Sequence, residues 1–343
     1  MQREMINKGK LLDTDGNLVE TGFARSLIKD YHRSDVKAPN WRIKEWDYYL
    51  VYNDEYGIAL TLDDNTYMGM ISVSIIDFKN ANELTVSPIQ FFTGGKTSLP
   101  ESSKTGDAVY KTKRCDVEFL QTLNGRRLKV KMKKYYKNQD FECDFELNDE
   151  PIESMVIATP FFKKKHFYYN QKIVGFKVNG YFKVGDFVYN FDSSNSVGLL
   201  DWGRGVWTYK NRWYWGAGSG MVDGHMVGFN IGYGFGDTSA ASENVIFYDG
   251  IVHKLNEVKF NIPLDKKNKK MYTEPWTFTS SDGRFEMDFT PIIDRDSYTS
   301  VGVICSDQHQ VFGKFTGKMI LDDGKVVELK NFLGFAEDVF NKW

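Results

Sequence analysis

The sequence predicts an all-β protein built from antiparallel strands, and three observations support this fold class. Aromatic residues form 15% of the chain, with 26 Phe, 19 Tyr and 8 Trp, and such side chains suit the pleated faces of sheets. Asp-Gly and Asn-Gly pairs recur along the whole length as signals of tight turns. Helical periodicity is scarce, and only two short helices are expected, near residues 21–31 and in the tail 335–343.

Each Asp-Gly or Asn-Gly pair predicts a two-residue hairpin turn, because both central residues of a type I′ turn need a positive φ. The pairs lie at residues 15–16, 124–125, 179–180, 223–224, 249–250, 282–283 and 323–324. Segments of alternating apolar and polar residues lie between them and are interpreted as strands: 46–52, 67–78, 127–135, 141–147, 176–191, 244–248, 284–289 and 313–321. Such strands are expected to form meanders or barrels.

The length of 343 residues is suited to one large domain or two of medium size. The most linker-like stretch is DSSNS at 192–196. We therefore expect two antiparallel β-barrel domains, at residues 1–195 and 196–343. Segment 201–215 is expected to join them at the domain seam.

Composition argues against several classes of partner. A net charge of −2 gives no general attraction to nucleic acid or to an anionic membrane. Basic runs at 163–165 and 266–270 are interpreted mainly as solvated loops, with phosphate or headgroup contact as the alternative. Three widely spaced cysteines, no apolar leader and no apolar run of about 18 residues predict a cytoplasmic protein without an integral membrane segment.

The most informative stretch is 198–220 (GLLDWGRGVWTYKNRWYWGAGSG), which holds four of the eight tryptophans. A turn at 223–224 pairs Val222 with His225 and, counting outward, Trp215 with Gly232 and Ala217 with Asn230. In this register one face carries Trp213, Trp215, Ala217, Ser219 and Asn230, with the indole rings over bare glycine backbone. On the other face glycines lie opposite Ile231, Phe229 and Val227, as a core requires.

Polar residues near this hairpin favour a ligand site, and core or interdomain packing of the tryptophans is the alternative. Asp201 and Arg204 are expected to form an ion pair on an exposed loop, because a charge buried alone is costly. Asp201 and Glu243 are the candidate catalytic acids. The expected ligand-binding residues are Trp202, Arg204, Trp207, Tyr209, Trp213, Trp215, Asn230 and Asn244.

Several blocks of the chain resemble an uncharacterised bacterial family, domain-of-unknown-function family 2804. They are 42–49 (RIKEWDYY), 201–207 (DWGRGVW), 213–220 (WYWGAGSG), 223–234 (DGHMVGFNIGYG), 243–250 (ENVIFYDG) and 332–343 (FLGFAEDVFNKW). More distantly, the chain is similar to the carotenoid hydratase and AttH-like superfamily, which has a Trp- and Asp-containing segment between two barrels. The acidic W-E-G element usual there is replaced by Phe312-Gly313-Lys314. The resemblance implies tandem lipocalin-like β-barrels and an apolar ligand, and no particular reaction.

Three functions remain open at this point. The first is binding of a hydrophobic small molecule, such as a lipid or terpenoid, in a barrel or interdomain cavity. The second is acid-catalysed hydration, isomerisation or cyclisation of an unsaturated lipid, with a buried carboxyl as the acid. The third is a carbohydrate-active protein with Asp201 and Glu243 as its carboxylate pair. No metal-ligand spacing or nucleotide loop is present in the sequence, so neither a metal nor another cofactor is expected.

Overall fold

The computed structural model describes residues 2–343 and consists of β-strands joined by turns and loops. The strands of the first part of the chain are β1 (Gly9–Lys10), β2 (Gly22–Ala24), β3 (Lys29–Asp30), β4 (Ile43–Tyr52), β5 (Tyr56–Asp64), β6 (Met68–Asp77), β7 (Asn82–Val86), β8 (Ile89–Phe91), β9 (Ala108–Lys111), β10 (Cys115–Thr122), β11 (Gly125–Tyr136), β12 (Gln139–Asn148), β13 (Met155–Pro160), β14 (Phe167–Val184), β15 (Phe187–Phe191) and β16 (Val197–Val206). Two 3-10 turns lie between β3 and β4, at Arg33–Asp35 and Asn40–Arg42.

The second part of the chain forms a separate antiparallel sheet. Its strands are β17 (Lys210–Val222), β18 (His225–Tyr233), β19 (Val245–Tyr248), β20 (Ile251–Lys254), β21 (Val258–Asn261), β22 (Trp276–Ser280), β23 (Phe285–Val301), β24 (Ile304–Ile320) and β25 (Val326–Lys342). Their order in the sheet is β20-β19-β18-β17-β25-β24-β23-β22-β21, whereas the larger first sheet follows β7-β6-β5-β4-β16-β14-β12-β11-β10-β9.

Each sheet curls around a core of its own, and a third cluster fills the space between the sheets. The first core is rich in β-branched and aliphatic residues, such as Val117, Val130 and Val178. The second is dominated by aromatic rings, including Phe229, Phe289 and Phe315. The third cluster takes side chains from β4, β14 and β16 on one side and from β17, β24 and β25 on the other. We call this buried contact between the two sheets the seam.

The predicted all-β class is confirmed, and both predicted helices are wrong. The tail lies in β25, which pairs with β17 and β24, so its side chains alternate between the two faces of the sheet although its apolar residues do not alternate along the sequence. Residues 21–31 contribute β2 and β3 instead of a helix. The predicted turn at Asn179-Gly180 is also wrong, because both residues lie inside β14. Gly180 is needed there because a Cβ would lie 2.1 Å from the carbonyl oxygen of Asp144.

The change from one sheet to the other falls at residues 207–209. β16 pairs along its whole length with β4 and β14, and the second sheet begins with β17. Strand 197–206 thus belongs to the first sheet, although it lies beyond the expected boundary at residue 195. Because this strand carries Asp201, the change of sheet places that residue on the first wall of the seam.

Candidate functional site at the seam between the sheets

Strand alternation decides which side chains reach the seam. On β4 the even-numbered residues Trp46, Tyr48, Leu50 and Tyr52 face the second sheet, whereas the odd-numbered ones enter the first core. Across the seam, Trp215 and Ala217 on β17 and Phe335 on β25 face back toward them. The hydroxyl of Tyr52 donates to the carbonyl oxygen of Ser219 at 3.0 Å, which ties the two sheets together directly.

An aromatic cluster forms one end of the seam. The ring of Trp46 stacks on that of Tyr168 at 6.0 Å and meets Trp207 edge to face at 5.4 Å. The ring of Phe235 lies 5.0 Å from Trp207 and 5.2 Å from Trp213. Two of the expected ligand-binding residues, Trp207 and Trp213, thus lie in this aromatic cluster. These rings supply an apolar wall beside the charged groups of the seam.

Asp201 lies at the centre of a buried hydrogen-bond network. Its Oδ1 atom is 2.9 Å from Nζ of Lys172, the residue directly opposite on β14, and both side chains are almost fully buried. Trp46 Nε1 donates to Asp201 Oδ2 at 3.2 Å, and Asn170 Nδ2 donates to Oδ1. Three donors thus converge on this carboxyl group, and they fix its position in the seam. The ammonium of Lys172 also lies 3.8 Å from the centre of the Trp215 ring, a cation–π contact.

The predicted hairpin is confirmed in the register read from the sequence. Asp223 and Gly224 have φ values of 50° and 83°, and Trp215 pairs with Gly232. Trp215 Nε1 donates to Oδ1 of Asn230 at 2.7 Å, so the predicted amide does lie beside the ring. The glycine backbone opposite the ring is not bare, however. A Cβ on Gly232 would lie 2.6 Å from Oε1 of Glu243, whose carboxyl group occupies that space.

Two further carboxyl groups therefore lie close to Asp201. Burial raises the pKa of Glu243, the positive charge of Lys172 opposes this, and Asp201 adds to it. Glu337 on β25 is the cross-strand neighbour of both Trp215 and Gln310. Burial raises the pKa of Glu337 from 4.5 to about 7, against the opposing charges of Arg295 and Lys172. The seam thus holds a carboxylic acid that is protonated in part near neutral pH.

Several buried polar atoms of the seam have no hydrogen-bond partner among residues 2–343. Within this region they are Oδ1 of Asn170, Nε1 of Trp207, Oε2 of Glu243 and Oε1 of Gln310. Buried polar atoms in proteins are nearly always paired, so such a group of exceptions calls for an explanation. Because the four atoms come from both sheets around one carboxyl cluster, they mark this part of the seam as a polar site within an apolar contact.

The predicted ion pair between Asp201 and Arg204 is wrong. Residues three apart on a strand point to opposite faces of the sheet, so Arg204 enters the first core while Asp201 faces the seam. Arg204 instead pairs with Asp47 at 3.0 Å and lies over the ring of Trp202, which is fully buried in the same core. Trp202 and Arg204 are therefore separated from the seam by the backbone of β16, and their proposed ligand contacts have no support from this placement.

Two other predicted residues also lie away from the carboxyl cluster. Tyr209 is 38% exposed in the connection between the sheets, and its hydroxyl donates to the carbonyl oxygen of Val303. The side-chain amide of Asn244 links β18 to the β20–β21 loop, accepting from Gly232 N and donating to Asn256 O at 2.9 Å. The structure thus brings together Asp201, Glu243, Trp207, Trp213, Trp215 and Asn230, and keeps Trp202, Arg204, Tyr209 and Asn244 apart from them.

The seam itself is closely packed. Trp215 is only 6% exposed, with the rings of Tyr48 and Phe335 packed nearly perpendicular to its own and Lys172 over its face. A cleft of about 480 Å³ opens at the far end of the seam, lined by Asp54, Glu55, Phe78, Lys79, Ile292, Lys314 and Leu333. A second cleft, of about 500 Å³, lies at an end of the first sheet around Cys115 and Phe141 and contains none of the seam carboxyl groups.

Sequence reasoning missed Lys172, Glu337 and Tyr48. Lys172 gave no signal of its own, because its partner Asp201 is distant in sequence and becomes a neighbour only through strand pairing. Glu337 was hidden by the helical interpretation of the tail, which removed the two-residue period that would have aligned it with Trp215. Side chains alternate between the two faces of a strand, so the strand predicted at 46–52 would have placed Tyr48 on the same face as Trp46.

The fold and the seam together define the class of this protein. It consists of two curled antiparallel sheets with a buried polar site between them. The chain belongs to the family described as Domain of unknown function (DUF2804), whose model matches residues 2–343. No curated protein sequence shows a significant match to the chain.

Two solved structures extend the likeness to the fold. One is a Nitrosomonas europaea protein provisionally assigned as AttH, with 14% identity and a TM-score of 0.50, covering 90% of this chain and 95% of that one. The other is kievitone hydratase from Nectria haematococca, with 10% identity, a TM-score of 0.50 and 98% coverage of both chains. At these identities the likeness concerns the fold, which is that of tandem lipocalin-like domains.

Proposed function

We propose that the protein binds a hydrophobic small molecule, such as a lipid or terpenoid, at the seam and protonates it through Glu337. The observation that carries this proposal is the carboxyl group of Glu337, which is buried between the sheets and has a pKa raised to about 7. An acid with a pKa near the working pH combines a useful protonated fraction with the ability to give up its proton. The unpartnered atoms of Asn170, Gln310 and Glu243 would orient a polar group of the ligand.

The chemistry that follows is acid catalysis on a carbon–carbon double bond. Glu337 gives its proton to one alkene carbon, and the carbocation forms on the other carbon. A nearby aromatic ring such as that of Tyr48 favours a cation. The face of Trp215 is already occupied by the ammonium of Lys172. Attack by water followed by transfer of a proton from that water to Glu337 gives hydration. Transfer of a proton from a neighbouring carbon to Glu337, with the C–H electron pair forming a new double bond, gives isomerisation. Hydration is also the type of reaction indicated by the name of the structural neighbour kievitone hydratase.

Asp201 has a different role in this proposal. Its ion pair with Lys172 and its bonds from Trp46 and Asn170 make it a fixed anion that holds the aromatic wall and the ammonium in place. Glu243 is the reserve acid, because burial raises its pKa and its Oε2 atom has no partner. The carbohydrate alternative loses its basis, since the expected exposed indole platform at Trp215 is covered by Lys172, Tyr48 and Phe335.

Because the seam is closely packed, binding requires side chains at one end of the seam to move aside. The test is native mass spectrometry of protein purified from its own cells, together with Trp fluorescence titrations against unsaturated lipids and terpenoids. An apolar molecule that co-purifies and quenches fluorescence is the expected result. If nothing co-purifies and no member of the panel changes the fluorescence, the proposal is wrong.

The catalytic part is tested separately with Glu337→Gln and a matched control, Glu328→Gln, on the exposed side of the same strand. Product is followed by mass spectrometry after incubation with the molecule that binds. Glu337→Gln is expected to keep binding and lose turnover, and Glu328→Gln to keep both. Turnover retained by Glu337→Gln would exclude Glu337 as the acid and transfer that role to the reserve acid Glu243. Absence of turnover in the unmodified chain would leave a binding function alone.

A further inference from the structure

The β13–β14 loop carries an exposed aromatic residue followed directly by three lysines. Phe162 is 96% exposed, and Lys163, Lys164 and Lys165 are all exposed beside it. Hydrogen bonds from Phe161 N to His166 O and from His166 N to Lys163 O hold the loop in a compact turn. We call Phe162 and these three lysines the basic tip. We propose that the basic tip docks on an anionic lipid bilayer and that the apolar ligand reaches the seam from there, an inference that rests on the proposed function.

The charge around the tip is complementary to an anionic surface. A neighbouring loop joins it through Asn17, whose Oδ1 accepts from Lys165 N at 3.1 Å, and this loop adds Val19, which is 56% exposed. The acids of that loop are Asp13 and Asp15. The carboxylate of Asp13 accepts hydrogen bonds from Asp15 N and Asn17 N, so it is partly used within the turn. The exposed Lys37 packs against Gly16, and the half-buried Asp237 approaches from the other side, its N donating to Pro160 O at 2.8 Å. The four lysines therefore outnumber the three acids Asp13, Asp15 and Asp237.

An aromatic path connects the tip to the seam. Phe161, next to Phe162, is buried with its ring 5.2 Å from that of Phe235. Phe235 lies 4.8 Å from the ring of Tyr168, which stacks on Trp46. Trp46 in turn donates to Asp201. The contacts therefore form one continuous apolar route from an exposed loop to the carboxyl cluster, along which an apolar molecule could displace rings without crossing water.

These features favour a bilayer over a protein as the occupant. Phe suits the boundary between headgroups and acyl chains, and lysines close to a surface of anionic lipid are attracted to it within a Debye length. A hydrophobic ligand of the kind proposed also resides mainly in membranes. A single Phe with three lysines predicts reversible, salt-sensitive association and not permanent anchoring.

The first experiment is co-sedimentation of the full chain with vesicles of phosphatidylcholine alone or with phosphatidylglycerol added, at low and high salt. Binding is expected only with phosphatidylglycerol and is expected to weaken with salt. Lys163→Ser/Lys164→Ser/Lys165→Ser should weaken it roughly a hundredfold, and Phe162→Ser roughly tenfold. Leu123→Ser is the matched control, because Leu123 is 99% exposed at the tip of the β10–β11 hairpin. It should bind like the unmodified chain.

A second readout separates this proposal from the proposed function. The fluorescent polyene cis-parinaric acid is offered either in solution or from vesicles, and energy transfer from Trp reports its arrival. The basic-tip variants should bind the soluble probe normally and take it slowly from anionic vesicles. Three results would each overturn the docking proposal. They are equal binding to neutral and anionic vesicles, an equal loss of binding in Leu123→Ser, and vesicle binding that the basic-tip variants retain. Failure to bind any soluble ligand would instead overturn the proposed function, and the vesicle data would still decide the docking.

Discussion

Nζ of Lys172 lies 2.9 Å from Oδ1 of Asp201, and this buried ion pair lies on the first wall of the seam, directly against Trp215 of the second sheet. The two residues are 29 positions apart in sequence and are brought together by the pairing of β14 with β16. The pairing of two strands of the first sheet therefore positions the polar groups of the seam.

Replacing one partner of this pair should destabilise the protein. Asp201→Asn leaves the ammonium of Lys172 buried without its counter-ion, so the free energy of unfolding should fall by about 3–5 kcal/mol. Urea denaturation provides the measurement, with Asp186→Asn in the exposed β14–β15 turn as the control. The double variant Asp201→Asn/Lys172→Met should lose less than the sum of the two single losses. Strict additivity would show that the two groups do not interact.

Glu337 should make stability fall as pH rises. Its pKa is raised by burial from 4.5 to about 7, so between these values the folded state binds more protons than the unfolded state. Stability from this group is fully present below about pH 4.5 and is lost as pH rises through 7, by roughly 3 kcal/mol in total. The difference in unfolding free energy between the unmodified chain and Glu337→Gln, measured by urea at pH 5 and pH 8, should therefore decrease toward pH 8. An unchanged difference would contradict the raised pKa.

Gly203 should be required for the position of Trp46. The indole ring lies against this glycine so closely that a Cβ would be 1.9 Å from the ring. Gly203→Ala must displace Trp46 from Asp201 and should lower the free energy of unfolding by about 1–3 kcal/mol. Gly198→Ala, on the same strand, is the control, since its nearest neighbour would be a side-chain atom at 3.1 Å. Similar melting temperatures for the two variants would exclude the close contact at Gly203.

Arg204 should matter for stability and not for ligand binding. It is fully buried in the first core, where it pairs with Asp47 and donates to the carbonyl oxygens of Trp46 and Pro100 at 2.7 Å. Arg204→Gln should therefore lower the free energy of unfolding by about 3–5 kcal/mol. At temperatures where the variant is folded, its affinity for the apolar ligand should equal that of the unmodified chain. A specific loss of affinity would mean that Arg204 acts on the seam.

Local sequence signals predicted the strands and the hairpin of 210–233, because turn chemistry and two-residue alternation act over short distances. The register followed from the position of Asp223-Gly224 alone. The sequence could not show which face of β16 carries Asp201, since this depends on distant pairing with β4 and β14. Proximity in sequence alone therefore suggested that Arg204 pairs with Asp201. In the structure Arg204 lies on the opposite face of β16 and pairs with Asp47.

The tail illustrates a second limit of local patterns. FAEDVFNKW fits the spacing of an amphipathic helix, but its neighbours β17 and β24 supply strand partners along its whole length. Tertiary pairing therefore overrides the local pattern, and Glu337 becomes a seam residue. The raised pKa of this residue likewise depends on burial between two sheets, which a sequence pattern does not contain.

The most direct test of the account is a crystal structure of the protein with the apolar molecule identified by native mass spectrometry. We expect the molecule to lie between β16 and β17, with a carbon of its double bond within about 3–3.5 Å of a carboxyl oxygen of Glu337. A molecule bound instead in the cleft around Cys115, with the seam side chains unmoved, would contradict it.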